Sequence, residues 1–487
     1  MTPQPIYLNM AATFAKKSVH PNTVATSAKK SIYLNTAATS LQKPPCVAQA
    51  VVEALGSLGN ASRGNAERDL GADRTIMEAR RRLASLFGFS HPERVVFASG
   101  ATQALNMAIW GAAAAIMKRK AGNEDRHAVN VDQRAVSEDR HAVNAGQEAF
   151  GLKHDDEPRT LTIVSTDLEH NSVLRPLYRL RDAYGAELRF ARADRTGHLD
   201  FGELEALCTP EVDLVVCTHA SNLTGALVDI RRVAQAAHRS GAVLIVDAAQ
   251  TAGAYPIDME DMGIDILCFT GHKSLLGPQG TGGLCVSPGI DVVPLVTGGT
   301  GVSSYEERQP EAYPAHLEAG TLNGHGIAGL SAAVEFIQEW KDGDALQGPG
   351  AIHGMELVSQ GPGAIHGMKL DLQGPVAIHA KELALRDRFI EAVSDIPGIE
   401  IYGPGIGSES MPIVALNLAG LESWETADLL AQEYGIAVRA GAHCAPRMHR
   451  ALGTEKSGAV RFSFGLFNTR EEVETAARAL REIAESI

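Results

Sequence analysis

The chain has 487 residues, 45% of them apolar, and carries a formal charge of −14, from 44 Lys and Arg against 58 Asp and Glu. That length accommodates two or three domains and a large buried core. The acidic balance argues against nucleic acid or an anionic membrane as a partner, since both require a basic face, and the longest apolar run, around Ala108–Met117, is too short to span a bilayer. The six cysteines (Cys46, Cys208, Cys217, Cys268, Cys285 and Cys444) form no CxxC pair and no metal-ligand spacing. Four lie in or beside apolar runs, where cysteine behaves as a small hydrophobe; Cys444 does not. With no signal-peptide pattern, a cytoplasmic location is expected.

The N-terminus repeats itself. IYLNMAAT at 6–13 returns as IYLNTAAT at 32–39, and the 32–39 copy is expected to be the structural one. Helical spacing of apolar residues predicts two helices between Ala48 and Gly88, around a polar loop at Gly59–Gly64. VVFAS at 95–99 reads as a strand, and Gly100-Ala101-Thr102 opens a helix to about Ala114. Such a small-residue turn leaves the first helical N–H groups free, a seat for phosphate.

Residues 121–157 hold EDRHAVN twice and little to bury, which reads as a surface insertion. Beyond them strands and helices alternate. LTIVST at 161–166, Leu188–Ala191 and LVVCTHA at 214–220 are strands, with helices after Glu169-His170-Asn171, near Phe201–Leu207 and at Arg231–Arg239. Alternation of this kind implies a mostly parallel sheet covered on both faces.

VLIVDA and DILCFTG, within 243–285, are buried parallel strands by the same reading, ending in Asp247 and in Gly271-His272-Lys273. Ligands bind beyond the carboxyl ends of such strands. A strand-end Asp and a Schiff-base lysine are what a pyridoxal phosphate (PLP) site needs most, and His170 and Asn222 fall on the same edge.

After Val286 the chain reads as loop to about Thr321, then as a helix at Ile327–Trp340. QGPGAIHGM occurs twice and decays to QGPVAIHA at 373–380. His353, His366 and His379 recur there without acids or thiols, which indicates a duplicated loop rather than a metal site. From Glu382 a long helix, several strands and a final helix from Arg470 form an α+β unit of about a hundred residues. Within it, Cys444 lies beside His443 and near Arg439, Arg447 and His449, a setting that favours a thiolate. Arg461 occupies a strand-like run, where a substrate carboxylate would be a fitting partner.

TGHKSLLGPQGTGG with VDAAQ, EHNS, SNLTG, EAGT, AGAHCAP and VRFSFGLFNT together resemble the cysteine desulfurases of the class V aminotransferase fold, in the branch related to selenocysteine lyases. The resemblance covers roughly 32–120, 158–342 and 382–487. It implies a PLP-dependent transferase of fold type I, with a seven-stranded, mostly parallel sheet in a large domain and a smaller α+β C-terminal domain. The expected boundaries are a duplicated extension at 1–31, a segment packing on the small domain at 32–47 and a PLP-binding domain at 48–300. An interdomain and dimer-interface region at 301–341, a repeat insertion at 342–380 and the small domain at 381–487 complete them.

The resemblance further implies that Lys273 binds PLP as a Schiff base, Asp247 pairs with the pyridinium nitrogen, and Gln250 with Asn222 bonds the phenolic oxygen. His170 lies on the ring face. Ala101, Thr102, Thr270 and His272 hold the phosphate, and Thr321 reaches the phosphate of a second subunit, so a homodimer is expected. Arg461 takes the carboxylate of the substrate, L-cysteine or selenocysteine, and Cys444 accepts sulfur from L-cysteine, for iron–sulfur clusters or another acceptor. Selenocysteine lyase, cysteine sulfinate desulfinase, another class V aminotransferase and an inactive scaffold are the alternatives. One departure is in GNASRGNAERDL at 59–70, where the family often has His and this chain offers Arg63 and Arg68.

Overall fold

The computed structural model describes residues 31–59, 67–124, 160–341 and 372–487. The first IYLN copy, the EDRHAVN repeats and the two intact QGPGAIHGM units lie outside them, as does most of the 59–70 loop. Among the described residues no helix is long and apolar enough to cross a membrane.

The chain enters through β1 (Ile32–Tyr33) and two helices, α1 (Pro45–Ser57) and α2 (Glu67–Leu86). The large sheet follows, with its intervening helices: β2 (Val95–Ala98), α3 (Ala101–Glu124), β3 (Thr162–Thr166), α4 (Asn171–Tyr184), β4 (Glu187–Ala191), α5 (Phe201–Leu207), β5 (Leu214–Thr218), α6 (Ile230–Ser240), β6 (Val243–Asp247), β7 (Ile266–Thr270) and β8 (Gly282–Val286). Its seven strands run in the order β2-β8-β7-β6-β5-β3-β4, with β8 alone antiparallel to its neighbours. Both faces are covered. Leu244 and Val246 of β6 enter one core and Ile245 the other, and β5 and β7 divide in the same way. Burial on both sides is why these strands read as unbroken apolar runs.

Strand β8 opens on two glycines and does not read as a strand in the sequence. Those glycines are steric: a Cβ on Gly283 would stand 2.2 Å from the carbonyl oxygen of Val96, and one on Gly282 would stand 2.7 Å from Gly100 Cα.

Helix α7 (Gly324–Glu339) leads to the small domain, which contains α8 (Pro375–Val393), β9 (Ile399–Tyr402), β10 (Ile413–Leu418), α9 (Ser423–Tyr434), β11 (Ile436–Ala437), β12 (Arg439–Gly441), α10 (Pro446–Leu452), β13 (Ala459–Ser463) and α11 (Arg470–Glu485). Four strands pair antiparallel in the order β12-β13-β10-β9. Phe389 of α8 packs on Phe462 and Phe464, with ring centroids 4.6 and 5.4 Å apart.

The structure corrects the expected boundary at 380. Helix α8 begins inside the last repeat unit, where Pro375 occupies a first-turn position that needs no N–H, and Ala377 and Ile378 are buried. His379 belongs to this helix, with its ring 5.0 Å from that of Tyr255.

The 32–39 copy does pack on the small domain. β1 pairs with β11, Asn35 bridges to Ser463, and the Ala37 N–H donates to Ser463 Oγ. The segment then crosses to the large domain, where Ser40 donates through N–H and Oγ to His272 O, and Lys43 Nζ donates to the same carbonyl at 2.8 Å.

Candidate active site

Five strands of the large sheet end at one edge, and each hands over to a polar turn there. β2 leads to Ser99-Gly100 and α3, β3 to His170 and α4, β5 to Asn222, β6 to Asp247, and β7 to His272 and Lys273. The small domain closes this edge through Arg439 and Arg461. Between them lies a cavity of about 340 Å³ whose wall includes Ala101, Thr102, His170, Asn222, Asp247, Gln250, Thr270, His272, Lys273 and Arg461. Ten of the twelve predicted site residues therefore share one wall. Cys444 and Thr321 are the other two.

Asp247 is buried at the end of β6, with Oδ1 accepting from the Ala249 N–H at 2.9 Å. Burial pushes its carboxyl up, while that hydrogen bond and Lys273 pull it down. Lys273 is lowered to about 8, chiefly by burial, with Asp247 opposing and Arg461 and Arg439 adding to the drop. His170 caps α4, its Nδ1 accepting from the Ser172 N–H at 3.0 Å. Burial first, then Lys273, Arg439 and Arg461, lower it to about 4, so the ring is neutral at physiological pH. His272 is lowered to about 4 by burial and the adjacent lysines, and its Nδ1 meets Thr39 Oγ1 at 3.0 Å. Gln250 Nε2 donates to Ala37 O at 3.3 Å.

The start of α3 brings free N–H groups to the cavity beside three hydroxyls, those of Ser99, Thr102 and Ser172. Thr102 Oγ1 and Ser172 Oγ are 2.9 Å apart. This is a seat for an anion.

Arg461 is 1% exposed and has no acidic partner among the described residues. One guanidinium nitrogen donates to Asn222 O at 2.8 Å, another to Asn35 Oδ1 at 3.0 Å, and Nε has no partner. Arg439 is directly opposite it across the β12–β13 pair. Two arginines on one cavity wall call for an anionic ligand there.

Cys444 lies outside the wall, partly exposed, close enough to favour the charged forms of Lys273 and Arg461. Its basic surround differs from the sequence expectation. His443 Nε2 meets Ala459 O at 2.9 Å and is lowered to about 3 by burial, His449 is buried against Thr454 Oγ1, and Arg447 is paired with Asp167. Thr321 is exposed and away from the cavity.

The family model for class-V aminotransferases matches residues 32–124, 144–346 and 366–475. The chain belongs to the class-V aminotransferase family. A probable cysteine desulfurase of Methanothermobacter thermautotrophicus is 32% identical over 328 residues, covering 66% of this chain and 73% of that protein. A probable cysteine desulfurase of Mycolicibacterium paratuberculosis is 30% identical over 91% of this chain, which spans 54% of that longer relative. Among solved structures, the apo cysteine desulfurase of Thermococcus onnurineus superposes with a TM-score of 0.73 at 27% identity, over 94% of this chain and 95% of that one.

In this class-V chain Ser172 and Asn35 are not among the expected site residues, and Arg439 is expected beside Cys444 rather than on the cavity wall with Arg461. Arg439 and Ser172 lie within segments that the sequence marks, RAGAHC and EHNS. Asn35 had only its place in the repeated IYLN, and its contact with Arg461 spans 426 residues.

Proposed function

We propose that the chain is a PLP-dependent cysteine desulfurase that converts L-cysteine to L-alanine and retains the sulfur as a persulfide on Cys444, for transfer to an acceptor that builds iron–sulfur clusters or other sulfur products. The observation that carries this reading is the convergence of Asp247, Lys273 and the Arg439–Arg461 pair on one cavity, with Cys444 on a loop hydrogen-bonded to the turn of His170.

The residues present fit PLP. A buried carboxylate and a lysine of lowered basicity share the wall with an anion seat at a helix start. Asn222 Oδ1 and Arg461 Nε are buried without partners, and a ligand in the cavity would meet that need. Asp247 would hold the proton on the pyridine nitrogen, Ala101, Thr102, Thr270 and His272 the phosphate, Gln250 and Asn222 the phenolic oxygen, and His170 the ring face. When bound, PLP supplies an electron sink for the substrate Cα.

Lys273 is the amine that carries the cofactor and then exchanges the Cα proton, a role suited to a group titrating near 8. Arg461 and Arg439 take the substrate carboxylate. In the net reaction the substrate Cβ–S bond breaks and an S–S bond forms on Cys444. Substrate carbon is reduced as the thiol sulfur is oxidised, so no external reductant is consumed until the persulfide is discharged. Exposed Thr321 is the residue offered to the phosphate of a second copy, which makes the working unit a homodimer; a cytoplasmic setting suits its thiols.

The test is alanine and sulfide release from L-cysteine under a reducing thiol. Wild type should form both in equal amounts. Lys273→Ala should form neither, and equal sulfide release by Cys444→Ala would rule out the persulfide route.

A further inference from the structure

The loop that carries Cys444 is held in a conformation it would not keep alone. His443 and Cys444 have consecutive left-handed torsions, with φ of 49° and 57°, a region that residues bearing a Cβ rarely enter. Such a pair persists only where surrounding contacts impose it.

Three contacts from the large domain do so. Asn222 Nδ2 donates to His443 O at 2.7 Å, and the Asn171 N–H donates to Cys444 O at 2.8 Å. The third stands three residues further on, where Arg447 Nε donates to Asp167 Oδ1 at 2.8 Å and the guanidinium lies 3.7 Å from the centre of the Phe190 ring. Asp167 directly follows β3, and its own N–H is bonded to Ala191 O. Both partners therefore rest on the rigid edge of the sheet. The side chains are only 22% and 12% exposed, which limits solvent screening of the pair. Neither residue lines the cavity.

We infer that the Arg447–Asp167 ion pair, backed by Phe190, is a latch that seats the Cys444 loop over the cavity, making both partners positioning residues for sulfur transfer. The inference rests on Cys444 being the sulfur acceptor. The latch fixes where Sγ stands relative to the substrate sulfur, and a misplacement of about 1 Å is enough to cost on the order of a hundredfold in rate.

The experiment compares the holoenzyme with Arg447→Gln, Asp167→Asn, their double variant and Arg447→Lys. Three readouts are taken: the cofactor absorbance, kcat and KM for L-cysteine, and the rate of Cys444 alkylation by iodoacetamide followed by mass spectrometry. Both single variants should keep the absorbance, lose about tenfold in kcat with KM within about twofold, and alkylate about fivefold faster. The double variant should be no worse than the singles, because both remove one interaction. Arg447→Lys should recover part of the loss. Unchanged kcat and alkylation in both singles, multiplicative losses in the double variant, or loss of cofactor absorbance in the isosteric Asp167→Asn would each overturn the latch. If wild type forms no persulfide, the desulfurase reading fails, while the alkylation rates still decide whether the pair holds the loop.

Discussion

Lys273 offers the most direct test of the site, because its environment sets the pH at which it can react with an aldehyde. Burial and the two nearby arginines lower it from 10.5 to about 8. At pH 7.5 a group titrating near 8 is roughly one-quarter neutral and one titrating at 10.5 about one-thousandth neutral, a ratio on the order of 200. Attachment of PLP to the apoprotein, followed by absorbance, should therefore accelerate with pH up to a midpoint near 8 and then level off. Removing a cation that opposes the charged amine raises its pKa, so Arg439→Gln should move the midpoint upward. Asp247→Asn removes the largest nearby charge that favours the ammonium and should move it downward. A midpoint near 10, or shifts of the opposite sign, would refute the assignment of Lys273 to a desolvated, cation-lined wall.

Arg461→Gln should lower kcat/KM for L-cysteine by roughly 10- to 150-fold, the equivalent of one charge-assisted hydrogen bond of about 1.5–3 kcal/mol, while PLP still attaches; unchanged kinetics would remove Arg461 from the substrate site. Gly283→Ala drives a Cβ to 2.2 Å from the Val96 carbonyl oxygen, an overpacking of about 1–3 kcal/mol that thermal denaturation should register as a loss of several degrees. Gly56→Ala, in α1 with open space around its Cβ position, should show no such loss.

The limits of the sequence reading follow from particular residues. Helix α8 reaches back into a Pro-Gly repeat because Ala377 and Ile378 find a core to enter, which the repeat pattern conceals. Strand β8 is hidden by glycines whose necessity is visible only once Val96 and Gly100 stand against them. The basic residues around Cys444 look in the sequence like a field acting on the thiol. In the fold His443, His449 and Arg447 are each committed to another partner.

By itself the sequence determined the alternation of strands and helices, the parallel sheet and the edge where Asp247 and Lys273 meet. A strand buried on both faces must be apolar throughout and turn polar where it ends, and that signal is local. Tertiary structure alone decided which distant residues face one another. Arg439 opposes Arg461 through strand register, Asn35 reaches Arg461 through the N-terminal strap, and Arg447 meets Asp167 across 280 residues of chain. The first comes from strand register within the small domain, the second from the N-terminal segment packing on it, and the third from the docking of the small domain on the large one. Non-local packing of that kind leaves no periodicity behind, which is why Cys444 was legible as a thiol worth attention and its restraint was not.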